Sequence, residues 1–281
     1  MNSPPTRSSF IVHRSSFPQV MAILNITPDS FSDGGVHFDH AKAVHAALQM
    51  EADGAAIVDI GGESTRPGAE SVSADEEMGR VIPVIEQIRK RSAVPISIDT
   101  MKAAVAERAL AAGADMINDV SALRADPAMG PLAARSGVPV VLMHMRGEPR
   151  TMQKNIHYDE VVSDVGRELT KFRDDAVAAG IDRAQILVDP GIGFGKTFEH
   201  NLELLARARE LRSIAPLVIG ASRKAFIGHI TGRSAGPHRM VGSLAAIAAA
   251  HRAGATLVRV HDVRETVDFL KVLTAIAERE R

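Results

Sequence analysis

The sequence predicts a single (β/α)8 TIM barrel, on three observations. Short, near-continuously apolar runs recur eight times; each ends in polar or glycine residues; and each is followed by a longer, alanine-rich stretch of helical period. Runs without alternation fit parallel strands covered on both faces. The eight strand-then-helix units from residue 20 onward average about 33 residues, an ordinary βαβ spacing. Regular alternation points to one parallel α/β domain and eight units point to closure, with a doubly wound open sheet as the alternative.

In chain order the strand candidates are residues 20–27, 55–62, 95–100, 116–121, 139–145, 186–193, 217–222 and 256–263. The helical stretches between them are 39–53, 73–91, 101–113, 126–136, 159–180, 199–213, 239–253 and 264–279. Ser73 followed by Glu76 has capping-box spacing, and Gly113, Gly180 and Gly254 stand where C-caps belong. Residues 1–19 differ from the rest: a tandem echo, Arg7-Ser8-Ser9-Phe10 and Arg14-Ser15-Ser16-Phe17, prolines at 4, 5 and 18, and no acidic residue. Without a signal-peptide apolar region they read as a frayed N-terminal extension to a barrel spanning 20–281.

Composition removes several function classes. The chain has 281 residues with 33 Lys+Arg against 34 Asp+Glu, which argues against a nucleic-acid binder held by charge. The lack of cysteine excludes disulfides, thiolate-bound metals and thiol catalysis. Aromatic residues make up 4%, too few for a base-stacking platform. No apolar run approaches the ~18 residues of a membrane span, so no membrane partner and a cytoplasmic location are expected.

In such a barrel the active site lies at the C-terminal ends of the strands. Those ends carry, in order, Asn25; Asp59 leading into Glu63-Ser64-Thr65-Arg66; Asp99; Asn118 and Asp119; His144 and Arg146; Asp189; Ser222-Arg223-Lys224; and Arg259 with His261. A polar group in an apolar strand needs a partner or a ligand, and eight such ends on one rim predict a site. Asp99, Asn118 and Asp189 suit the donor and acceptor edge of a neutral heterocycle, while Lys224, Arg259 and His261 suit an anion. Asp99 and Arg259 also admit a plainer reading, a buried ion pair. Two loops rich in Gly, Ser, Asp and Pro, 27–35 and 61–68, follow strands at this rim and read as lids, the second carrying Arg66 as a phosphate clamp.

Other motifs fail. The segment Gly191-Ile192-Gly193-Phe194-Gly195-Lys196-Thr197 lacks the first glycine of a Walker loop, since position 190 is Pro, and Lys196 breaks the dinucleotide fingerprint. Its glycines read as letting a loop pass close to a ligand. The histidines lack zinc-site spacing, and no Gly-x-Ser-x-Gly elbow occurs.

Taken together, residues 21–35 (MAILNITPDSFSDGG), 59–69 (DIGGESTRPGA), 97–100 (SIDT), 118–121 (NDVS), 189–197 (DPGIGFGKT), 222–228 (SRKAFIG) and 259–263 (RVHDV) resemble the dihydropteroate synthase family, in order and spacing, from Val20 to the C-terminus. The resemblance implies condensation of 6-hydroxymethyl-7,8-dihydropterin diphosphate with 4-aminobenzoate, Mg²⁺ dependence, and a homodimer formed through the late helices. It assigns the pterin to Asp99, Asn118, Asp189 and Lys224, with Arg259 stacked on its face. It assigns Mg²⁺ to Asn25, the diphosphate to Thr65, Arg259 and His261, and the aminobenzoate to Phe31, Arg66, Pro67 and the backbone near Lys224. Arg66, Lys224, Arg259 and His261 become the catalytic set of a dissociative reaction. Two positions depart from the family pattern: Ala22 replaces a common Gly, and Ala225 stands where many members carry a Ser that contacts the aminobenzoate carboxylate. The alternatives are a methyltetrahydrofolate-dependent methyltransferase barrel, which needs no diphosphate clamp, and a catalytically silent pterin-binding paralogue.

Overall fold

The computed structural model of the chain describes residues 17–27, 40–65 and 68–279. Eight parallel strands occupy the eight expected places: β1 (Gln19–Asn25), β2 (Ile57–Gly61), β3 (Ile96–Asp99), β4 (Met116–Asp119), β5 (Val140–Met143), β6 (Ile186–Asp189), β7 (Val218–Ile219) and β8 (Leu257–Val260). They pair in the order β6-β5-β4-β3-β2-β1-β8-β7, with every register parallel. A single parallel bridge between Val188 and Leu217, with the Val188 N–H donating to the Pro216 carbonyl at 3.0 Å, joins β6 to β7. The barrel is therefore nearly closed, and the open-sheet alternative falls.

The helices clothe the outside: α1 (His40–Ala52), α2 (Ala74–Arg89), α3 (Ala103–Ala112), α4 (Met129–Ser136), α5 (Val161–Ala178), α6 (Phe198–Arg207), α7 (Ala225–Thr231), α8 (Met240–Ala253) and α9 (Val263–Ala277). Gly113 and Gly254 adopt left-handed C-caps, and Gly180, at φ 96°, follows the cap residue Ala179. Half of the expected capping box forms. Ser73 Oγ accepts from the Glu76 N–H at 3.1 Å, while the Glu76 carboxylate turns to Arg80. The stretch read as one helix over 199–213 divides into α6 and a 3-10 segment, Ala208–Ser213. The seven-residue α7 was not expected.

What places the site is the two-residue period of the strands. Met21, Ile57, Met116, Val141, Leu187, Val218 and Leu257 pack together as an apolar plug inside the barrel. Two residues further along the same inward faces come Asp59, Asn118, Met143, Asp189, Gly220 and Arg259. Asp99 follows in the same way from the buried Ser97, the register partner of Asp59. The polar residues are thus the storey above the plug, at the C-terminal rim.

Candidate active site

Arg259 is the centre of the floor. Its Nε donates to Asp59 Oδ2 and its Nη2 to Asp99 Oδ2, both at 2.6 Å, so one guanidinium ties the tops of β2, β3 and β8. The ion-pair reading of Asp99 and Arg259 therefore holds. Asp59 Oδ2 also accepts from Asn118 Nδ2 at 3.1 Å, while Asp59 Oδ1 is buried with no partner among the described residues. Burial pushes the Asp99 carboxyl up to about 7, against the opposing pull of Arg259 and with help from nearby carboxylates. Burial also raises Asp189, opposed by the Gly191 N–H and by Lys224 and Arg259. Asp189 Oδ1 accepts from that N–H at 2.6 Å. Its Oδ2 sits beside Gly220, where a side chain would come within 3.6 Å.

Lys224 reaches this floor through a strained turn. Arg223 has φ 57°, left-handed for a non-glycine residue. It is held there by its N–H to Ser243 Oγ at 2.8 Å and by its guanidinium on Asp262. Lys224 then opens α7, with its Nζ 4.2 Å from the centre of the Phe194 ring. Burial, with Arg259 next, lowers Lys224 to about 8, against the pull of Asp189 and Asp99. A cavity is lined by Thr65, Asn118, Met143, Asp189, Phe194, Lys224 and Arg259, among others, so five of the expected residues converge on one space.

His261 lies beside it. Its backbone N–H donates to Ser222 Oγ at 3.2 Å and its Nδ1 lies 3.1 Å from the same hydroxyl. Burial first, then Arg223 and Arg259, hold it down to about 3, so the free protein offers the anion a neutral imidazole rather than a cation. A base whose folded value is depressed stabilises the fold above its unfolded value and loses that contribution as pH falls. Lowering the pH from 6.5 to 4 is therefore expected to reduce the thermal midpoint less in His261→Asn than in the wild type. Equal slopes would contradict the assignment. Asn25 ends β1 beside Gly61. Phe31, Arg66 and Pro67 lie outside the described residues, as do most of the first lid and part of the second. The base of the second is anchored: Lys102 Nζ bridges Glu63 and the buried Glu77.

Other rim residues turn away from the cavity. Asp119 accepts from Ser121 and Leu123 and fixes the turn after β4. His144 and Arg146 belong to a network behind the β6–α6 loop: His144 Nε2 is 3.0 Å from Glu168 Oε2, and Arg146 Nε donates to Glu168 Oε1 at 2.9 Å. Burial, with Lys196 next, lowers His144 to about 4, while hydrogen bonds from His144 and Arg146 outweigh burial to lower Glu168 to about 2. The glycines of that loop also have another purpose than close approach to a ligand. A side chain at Gly191 would stand 2.0 Å from the His144 carbonyl oxygen, and one at Gly195 would stand 2.9 Å from that of Arg146. They let two loops touch. Asp59 was on the expected rim without a role, and Phe194 and Lys196 were passed over as parts of a failed phosphate motif.

Known proteins resemble this chain along nearly its whole length. A family profile described as pterin binding enzyme matches residues 21–261. The dihydropteroate synthase of Escherichia coli (strain K12) is 48% identical over 263 residues, covering 92% of each chain. That of Synechocystis is 46% identical over 258 residues, covering 92% of this chain and 89% of its own. A Xanthomonas albilineans dihydropteroate synthase solved with 4-aminobenzoic acid superposes with a TM-score of 0.88 at 49% identity, covering 93% of both chains. A structure of the Xanthomonas albilineans enzyme in complex with 7,8-dihydropteroate gives 0.84 at 46%, covering 93% of this chain and 94% of that one. With a family profile spanning residues 21–261 and relatives of this identity along nearly its whole length, the chain belongs to the pterin binding enzyme family, among its dihydropteroate synthases.

Proposed function

We propose that this chain condenses 6-hydroxymethyl-7,8-dihydropterin diphosphate with 4-aminobenzoate, giving 7,8-dihydropteroate and diphosphate. The observation that carries the reading is the cavity itself: the Asp189 carboxylate, the Asn118 amide, Lys224, Arg259 and the Thr65 hydroxyl line one space. A pterin edge alternates donors and acceptors, which Asp99, Asn118 and Asp189 complement, and a diphosphate calls for the cations and the Thr65 hydroxyl. The planar guanidinium of Arg259, fixed by two carboxylates, supplies a flat cationic surface for a flat bicyclic ring.

The reaction is dissociative in this proposal. The bond from the exocyclic carbon to the diphosphate oxygen breaks with both electrons leaving on the oxygen, and the resulting cation is shared with the pterin ring. The arylamine nitrogen then bonds to that carbon and loses a proton. Arg259, His261 and Thr65 receive the leaving group, while Asp99 and Asp189 face the cationic ring. Mg²⁺ supplies charge neutralisation on the diphosphate when bound. Asn25 would hold it, since a single hard amide oxygen fits an ion that keeps several waters and is shared with phosphates, and the described residues contain no cluster of three ionisable ligands. A homodimer is part of the same proposal: Ile230, Val241, Val272 and Ile276 expose apolar side chains on the late helices α7, α8 and α9. Neither a nucleic acid nor a membrane partner enters it; no helix among the described residues is long and apolar enough to cross a membrane.

The test is diphosphate release with the pterin diphosphate, Mg²⁺ and 4-aminobenzoate. A product that does not depend on aminobenzoate overturns the reading. In the same assay Arg66→Ala is expected to lower turnover and raise the aminobenzoate KM while pterin binding stays near wild type. A primary loss of pterin affinity would instead place Arg66 at the floor.

A further inference from the structure

Lys224 owes its place on the floor to the backbone and not to partners of its own. Its Nζ makes no hydrogen bond among the described residues; around it stand the Phe194 ring and the charges of Arg259, Asp189 and Asp99. The three donors of the ammonium are left for a ligand. What fixes the amine is the residue before it, Arg223, in a left-handed conformation that a non-glycine residue keeps only where its surroundings enforce it. The enforcement comes chiefly from the start of α8. Ser243, 3% exposed, accepts the Arg223 N–H on its Oγ at 2.8 Å and donates to the Arg239 carbonyl at 2.9 Å, one turn back on its own helix. That second bond sets the rotamer and aims a lone pair at the turn. Arg239 Nη1 donates to the Arg223 carbonyl at 3.3 Å, so both peptide groups of the strained residue are held from α8, and Asp262 holds its guanidinium. The seat is tight. A side chain at Gly242 would overlap Ile227, and one at Gly228 would overlap the Arg239 guanidinium, so α7 rests directly on the first turn of α8.

We propose that Ser243 is a positioning residue for Lys224: its hydroxyl holds Arg223 in the left-handed turn, and the turn sets where the Lys224 amine meets the pterin substrate. The inference rests on the dihydropteroate synthase reading. Ser243 does not line the cavity itself and acts only through the chain between Arg223 and Lys224. It stands 19 positions after Lys224, on a different helix, and serves that one cation and not the carboxylates and amide of the other strands.

The test is kcat/KM for the pterin diphosphate at saturating aminobenzoate, in Ser243→Ala, Lys224→Ala, Asn118→Ala and the two double variants that combine Ser243→Ala with each of the others. Ser243→Ala is expected to lower kcat/KM about tenfold, the scale of a buried N–H left without its acceptor. With Lys224 gone the hydroxyl has nothing to position, so Ser243→Ala with Lys224→Ala should lie within about twofold of Lys224→Ala alone. Asn118 has its own support in Asp59, so its loss and that of Ser243 should multiply. A merely structural role would multiply with both. A loss of less than about twofold in Ser243→Ala overturns the proposal. So does a loss that multiplies with Lys224→Ala, or one that fails to multiply with Asn118→Ala. Should Ser243→Ala fail to fold, Arg239→Met carries the test, since it removes the hold on the Arg223 carbonyl. A loss of about two- to fivefold with the same two patterns supports the proposal; no loss overturns it. Wild-type enzyme that makes no aminobenzoate-dependent product would instead overturn the parent reading, so the two failures are distinguishable.

Discussion

Arg259→Ala is expected to cost this protein both activity and fold, more than any other single change at the rim. Removing one partner of a buried, hydrogen-bonded ion pair typically costs 3–5 kcal/mol, because the charge left behind has lost its compensation. Here two carboxylates are left, Asp59 fully buried and Asp99 nearly so. Asp99 already stands at about 7 with the guanidinium in place, and losing it pushes the group higher. An acid whose folded value is raised stabilises the folded state at low pH and loses that contribution as pH rises towards the folded value. The deficit in thermal midpoint against wild type should therefore widen from pH 5.5 to pH 8, a direction opposite to ordinary acid denaturation. Activity should fall by about a hundredfold to a thousandfold, as is typical of lost oxyanion-type stabilisation. A deficit independent of pH would mean that the Asp99 carboxyl does not depend on Arg259.

Lys224→Ala carries the second large effect, on binding rather than folding. Truncating a buried, charge-assisted partner commonly costs about 2–5 kcal/mol of affinity, roughly 30-fold to several thousandfold. Pterin binding followed by titration calorimetry should vanish at micromolar ligand, and Asp189→Ala should behave alike, since the two flank one cavity. Removing Lys224 should also raise Asp189 further, by deleting one of the charges that now hold it down. Wild-type pterin affinity in either variant would contradict the assignment of the floor.

The fold was largely legible because its signals are local. A parallel strand buried on both faces announces itself as a continuous apolar run, so all eight strands lie within the segments picked from the sequence, apart from Gln19 at the start of β1. Helix α7 was not legible: seven residues, Ala225 to Thr231, are too short for a helical period to stand out beside the Ser-Arg-Lys turn. The site was legible in kind, since period two places Asp59, Asn118, Asp189 and Arg259 above plug residues. What the sequence hid was pairing. That Arg259 joins Asp59 to Asp99 links positions 200 and 160 apart in sequence. That Lys196 faces a histidine 52 positions away has no sequence pattern at all. The neutral state of His261 was hidden too, because desolvation belongs to the folded environment and not to the residue.

The single bridge between Val188 and Leu217 makes the barrel unequal around its circumference. Local opening starts where few backbone hydrogen bonds must break, so the amides on either side of this seam should be among the first in the barrel wall to exchange with solvent. Asp189 ends the strand on one side and Lys224 follows the strand on the other. A pterin held by both would act as a rung across the gap, joined by its ring edge instead of by peptide groups. Bound substrate would then brace the seam as well as fill the barrel, and the breathing of β6 against β7 would report occupancy.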